Sequence, residues 1–117
     1  MDYPKAIGPY NAFREAGDLI FCSGQIPLNP ATGELAGSLE EQAHQAMKNV
    51  GGVLRAAGLD YKNVVKTTVF LADINDFAAV NEIYAQYFRE PFPARSAVGI
   101  AALPKGARLE VEVIAHR

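Results

Sequence analysis

The stretch that decides the fold runs from Asn63 to Ile100: NVVKTTVFLADINDFAAVNEIYAQYFREPFPARSAVGI. It opens with β-branched residues, Val64, Val65, Thr67, Thr68 and Val69. These predict a strand over 63–74, apolar enough to be largely buried. The apolar period then lengthens. Phe77, Val80, Tyr84, Tyr87 and Phe88 share one helical face, which predicts a helix over 74–88 that Pro91 and Pro93 end. ARSAVGIAAL (94–103) returns to strand, and its second residue is a lone guanidinium, Arg95.

Working outward toward the C-terminus, PKGA (104–107) reads as a turn. RLEVEVIAHR (108–117) is a last strand, with Leu109, Val111 and Val113 alternating against Glu110 and Glu112. Toward the N-terminus, AFREAGDLIFCSG (12–24) reads as two short strands around a tight turn at Gly17-Asp18. QIPLNPATGELAG (25–37) is rich in Pro and Gly and reads as a surface loop. SLEEQAHQAMKNVGGVLRAAG (38–58) reads as a helix, with Ser38 and Glu41 as a capping box and Gly58 as the residue that closes the C-terminus. The pair Gly51-Gly52 is anomalous there, because each mid-helix glycine costs about 1 kcal/mol relative to alanine. Close packing against a sheet or another subunit would compensate; a break in the helix is the alternative.

The order is β-β-α-β-α-β-β, a single α+β domain over residues 1–117. Two helices cover only one face of such a sheet, so the other face meets water or another subunit. Alternation places Ile114, Ala97 and Ala101 with Glu112 and Arg95, and a face of small apolar residues with a few charges suggests an oligomer interface containing a pocket.

Composition sets further bounds. The 117 residues are 50% hydrophobic and 21% charged, as expected of a folded domain. The net charge of −2 comes without a basic stripe, which argues against nucleic acid as a partner. Apolar runs fall well short of the roughly 20 residues of a membrane span. MDYPKAIGPY has no signal-like apolar core, and the single cysteine, Cys22, forms no intrachain disulfide, so a cytoplasmic location is expected. His44 and His116, the only histidines, are far apart, and no HExxH, CxxC, Walker, GxGxxG or GxSxG motif is present. Neither a metal nor a cofactor is implied.

Five residues stand out as carriers of chemistry. Arg95 alternates with Ala97, Gly99 and Ala101, which leaves room beside the guanidinium. It is either a charge at a strand edge or a hook for a carboxylate. Glu112 is either a solvated outer-face charge, like Glu110, or a proton carrier in a partly dry place. Asn81 lies at the edge of the apolar helical face, where a satisfied structural amide is the plain alternative. Tyr10, after a Gly-Pro turn, either touches a ligand or anchors the terminal segment. Ser23 has no base beside it and suits a ligand contact better than a nucleophile. Cys22 reads as a small buried hydrophobe, and His44 as a residue on the wet flank of its helix.

Together, AIGPY, CSGQIPLNPATGEL, VVKTTVFLADINDFAAVNEIYAQYF and FPARSAVGIAALPKGARLEVEVIA resemble the RidA family, also called YjgF, over nearly the whole chain. The resemblance implies a cytoplasmic homotrimer of chorismate-mutase-like α+β fold, with a mixed sheet and sites in clefts between subunits. It implies hydrolysis of reactive enamines and imines, such as 2-aminoacrylate and 2-aminocrotonate, to 2-keto acids and ammonia, with no cofactor or metal. It places the site on Tyr10, Ser23, Asn81, Arg95 and Glu112. Arg95 would pair with the substrate carboxylate, Glu112 would position water, and Tyr10 and Ser23 would be polar contacts. Where the well-known bacterial deaminases of that family carry a cysteine, this chain has Ala97, which leaves only backbone groups to contact substrate. Three alternatives stay open. One is a non-enzymatic sensor of 2-keto acids; the second is a ribonuclease or translation inhibitor, which the acidic charge balance opposes; the third is a specialised paralogue that acts on a longer imine in a catabolic pathway.

Overall fold

A computed structural model describes residues 2–117. Five strands and two helices follow the expected order: β1 (Phe13–Ala16), β2 (Leu19–Cys22), α1 (Leu39–Ala56), β3 (Val64–Leu71), α2 (Phe77–Tyr84), β4 (Ala94–Gly99) and β5 (Leu109–His116). The strands form one mixed sheet in the order β1-β2-β5-β3-β4. Every neighbouring pair is antiparallel except β3 and β4, which the α2 crossover makes parallel.

Strand alternation sorts the sheet into two faces. Ile20, Cys22, Val69, Leu71, Val111 and Val113 are buried beneath the helices and join Ala46, Met47, Val50, Val53 and Leu54 of α1 in the core. The opposite face is open, and Phe21 (43% exposed) and Val98 (40%) stand on it uncovered. The expectation that Arg95 and Ala97 share that open face with Glu112 and Ile114 is overturned. Arg95 pairs with Thr67 and Ala97 with Val69, so both project toward the helices. Glu112 pairs with Thr68 and Ile114 with Lys66, on the other side. Parallel register with β3 decides this, and it was not readable from the spacing within each strand.

The hairpin at Gly17-Asp18 is as expected: Ala16 pairs with Leu19, and Gly17 takes φ 61°. The capping box also forms. Ser38 accepts from the Glu41 backbone N–H at 3.1 Å, and the Glu41 carboxylate accepts from the Ser38 N–H at 3.3 Å. The glycine pair neither breaks α1 nor meets a sheet. A Cβ at Gly51 would collide with the Tyr61 hydroxyl, and one at Gly52 with the backbone of Asp2. The helix is bare there because a tyrosine and the N-terminal segment cross it.

Four expectations need adjustment. The second helix stops at Tyr84, four residues early, because the chain tightens into i→i−3 bonds from Gln86 to Ile83 and Tyr87 to Tyr84. The last parallel strand ends at Gly99 rather than Leu103, so Ala101 belongs to no strand. The 25–37 loop is not merely superficial: Gln25 and Leu28 are buried, and Asn49, wholly buried on α1, donates to the carbonyls of Ile26 and Leu28. His44 is half-buried rather than wet and shares a 2.8 Å hydrogen bond with the Tyr87 hydroxyl.

Candidate active site

The proposed residues fall into two groups, at different places on the sheet. The first lies on the β4 edge. Arg95 rises from β4 toward α2, and its Nη1 donates to Asn81 Oδ1 at 2.5 Å. The guanidinium carbon lies 4.9 Å from the ring centre of Tyr84 and 5.2 Å from that of Phe77. These are distances at which a cation is attracted to a ring face. Phe77, Asn81 and Tyr84 come from successive turns of α2, which is why helical spacing delivers all three to one arginine. Among the described residues no carboxylate pairs with Arg95. The ion pairs are Arg55–Asp2, Arg108–Asp76 and Arg117–Glu15. The arginine is therefore fixed by neutral groups, with its charge uncompensated and most of its five donors unused.

Beside it opens a cavity of about 390 Å³, lined by Asn81, Tyr84, Phe88, Phe92, Pro93 and Arg95 among others. Phe92 is 62% exposed at its mouth. Charge on one wall and rings on the others suit a small anion with an apolar part. Ala97, two residues along, packs half-buried against the core, and its strand is hydrogen-bonded on one side only.

The second group lies where β2 runs out beside β5. Ser23 donates through its hydroxyl to the Asn11 carbonyl at 2.6 Å, which leaves its oxygen lone pairs free to accept. With its proton so committed and no histidine in contact, it is no nucleophile. Tyr10, 51% exposed, lines a shallow hollow with Ser23. Glu112 projects from the open face and is exposed.

Sequence reasoning missed Glu110. It stands two residues from Glu112 on the same open face but is half-buried, folded over Gly24, where a Cβ would lie 2.6 Å from its Oε2. Burial, and then the charge of Glu112, push its carboxyl above the usual carboxylate range. The available signal was the SGQ of Ser23-Gly24-Gln25. A glycine there admits a neighbouring carboxylate that any side chain would displace.

The two groups do not meet within one chain. β2 and β4 are three strand spacings apart, about 14 Å. Arg95 and Glu110 also face opposite sides of the sheet. The thiol of Cys22, inside the core, is pushed up to about 11 by burial and takes no part. Among the described residues no cluster of His, Cys, Asp or Glu suits a metal ion, and no helix is long and apolar enough to cross a membrane.

Fold and geometry thus define a class: an α+β domain with an arginine held by neutral partners at one edge of its sheet and a carboxylate pair on the open face. Known proteins share the fold. The whole chain, residues 1–117, matches the family model described as Endoribonuclease L-PSP. The 2-iminobutanoate/2-iminopropanoate deaminase of Homo sapiens is 57% identical over 113 residues, covering 96% of this chain and 82% of that protein. The crystal structure of RidA from the Antarctic bacterium Psychrobacter sp. PAMC 21119 has a TM-score of 0.95 at 40% identity, covering 99% of this chain and 94% of that one. E. coli TdcF with bound serine has a TM-score of 0.94 at 45% identity, with the same coverage. The chain belongs to the Endoribonuclease L-PSP family, the family of the RidA deaminases.

Proposed function

We propose that this protein is a cofactor-independent deaminase that hydrolyses 2-imino acids, and the 2-enamino acids in equilibrium with them, to 2-keto acids and ammonia. The observation that carries the reading is Arg95: a guanidinium held in place by neutral partners, without a counter-ion among the described residues, on the wall of a small apolar cavity. The human relative's name supplies the substrate class, and the serine in the E. coli relative is itself a small carboxylate.

Arg95 pairs with the substrate carboxylate, with its planar fork matched to the two oxygens. That fixes the adjacent C=N carbon for attack. Glu110, its pKa raised, takes the proton from an attacking water. Water adds to the imine carbon, the C=N bond becomes a single bond, and the nitrogen takes up a proton. The C–N bond of that carbinolamine then breaks as the nitrogen leaves protonated, and the hydroxyl oxygen loses its proton to become the keto group. Ser23 accepts from the substrate N–H, and Tyr10 donates to the developing oxygen. Glu112, given the water-positioning role from sequence, contributes in this reading its charge beside Glu110. Imines hydrolyse unaided in water, so a sparse site with one orienting cation and one proton carrier suffices.

The site is completed between chains: Arg95 and Asn81 of one subunit face Tyr10, Ser23, Glu110 and Glu112 of the next. The open sheet face, with Phe21 and Val98 uncovered, supports that assembly. A homotrimer closes such a head-to-tail arrangement into a ring. The reading includes a cytoplasmic setting and no nucleic-acid or membrane partner.

The test couples the protein to an amino-acid oxidase or a threonine dehydratase, which generates the imine in place. Faster imine loss with ammonia release supports the reading. Binding of 2-keto acids without accelerated release makes the protein a carboxylate binder instead.

A further inference from the structure

One polar group stands out on the covered sheet face. Thr67, on β3, is wholly buried among Val69, Val113 and their neighbours. Valine would fill the same space with nothing to satisfy. Among the described residues its hydroxyl has one side-chain partner, the Tyr84 hydroxyl at 2.8 Å. Tyr84 is itself buried, and its ring lies 4.9 Å from the Arg95 guanidinium carbon. Thr67 and Arg95 are also direct cross-strand partners. The three side chains close a loop: β3 to β4 by backbone pairing, β3 to α2 by the hydroxyl bond, and α2 to β4 by ring against cation.

We propose that Thr67 and Tyr84 are positioning residues that hold the Arg95 guanidinium in its carboxylate-binding orientation before ligand arrives. This rests on the reading that Arg95 binds the substrate carboxylate. An arginine on an edge strand samples many rotamers, and freezing them on binding weakens affinity. A tyrosine whose ring is tethered through its own hydroxyl removes that freedom in advance. Asn81 fixes one guanidinium nitrogen in the plane, and the tethered ring bounds the face.

The experiment separates positioning from plain stability. Thr67→Val leaves a buried tyrosine hydroxyl unpaired, and Tyr84→Phe leaves the threonine unpaired, so each single variant is expected to melt lower. The double variant Thr67→Val/Tyr84→Phe removes both partners and keeps the ring, so its melting temperature should return close to wild type. The probe is 2-oxobutanoate, titrated against each variant and against the same variants carrying Arg95→Ala. We expect the double variant to bind 2-oxobutanoate about tenfold more weakly despite its restored stability, within the coupling range for side chains in contact. With Arg95→Ala present, the double substitution should have no further effect. Wild-type affinity in the double variant, or an equal loss without Arg95, overturns the proposal. If the wild-type protein neither binds 2-oxobutanoate nor hydrolyses imines, the functional reading fails first, and the two failures are distinguishable.

Discussion

The β4 edge and the open face of the sheet hold the two halves of the proposed site, and they are built differently. At the β4 edge every member is already placed: Arg95 is bonded by Asn81, bounded by Phe77 and Tyr84, and backed through Tyr84 by buried Thr67. On the open face Tyr10 and Glu112 are exposed, and only Glu110 sits in a shaped seat, over Gly24. One half is complete within a chain; the other lies open. A site that binds through a rigid anion hook and reacts through a desolvated carboxylate needs the first before assembly and the second only after it.

The largest effect expected from breaking this comparison is loss of the hook. Arg95→Ala should lower kcat/KM at least about a hundredfold, since two charge-assisted hydrogen bonds are lost at about 1.5–3 kcal/mol each. Mixing unfolded Arg95→Ala and Glu110→Gln chains and refolding them together sharpens it. If each site takes Arg95 from one subunit and Glu110 from the next, random mixing into rings restores roughly a quarter of the sites. Activity no greater than that of the two separate variants would place both residues in one chain's site.

Glu110→Gln should slow turnover by about a hundredfold, the low end for a general acid-base group, with the KM for substrate little changed. Glu112→Gln should cost only a fewfold. The reverse order, measured as kcat in the coupled assay, would return the proton-carrying role to Glu112. Arg95→Lys comes next, at about tenfold in kcat/KM, because an ammonium keeps the charge and loses the fork. Its thermal melt should match wild type; a collapse of the assembly in that variant would make the arginine structural.

The smallest effect is on stability. The Glu110 carboxyl is raised by burial and by Glu112, so the folded protein holds that proton to higher pH than the unfolded chain. Stability from this group therefore falls as pH rises from the ordinary carboxylate range through the raised value, and the penalty persists at neutral pH. Glu110→Gln should melt slightly higher than wild type at pH 7. The gap should close on acidification, as followed by thermal melts at fixed protein concentration. An equal gap at both ends would mean that packing, not charge, sets it.

The order of elements, the capping box at Ser38, the hairpin at Gly17 and the alternation of Leu109, Val111 and Val113 were all legible in the sequence. Each is fixed by residues within a few positions of one another, where period and turn chemistry speak directly. The pairing of Arg95 with Asn81 was half legible: both stood out, but nothing along the chain joined them. What only the tertiary structure decided depends on contacts between distant segments. The parallel register of β3 and β4 turned Arg95 toward the helices and away from Glu112. The approach of Asp2 and Tyr61 explained the bare helix at Gly51-Gly52. The seating of the Glu110 side chain over Gly24 half-buried that carboxylate and raised its pKa. The sequence by itself determined which elements form and that an arginine lies among small residues. Facing and burial were settled by packing, because a side chain's environment is set by what crosses it, and that is rarely its neighbour in the chain.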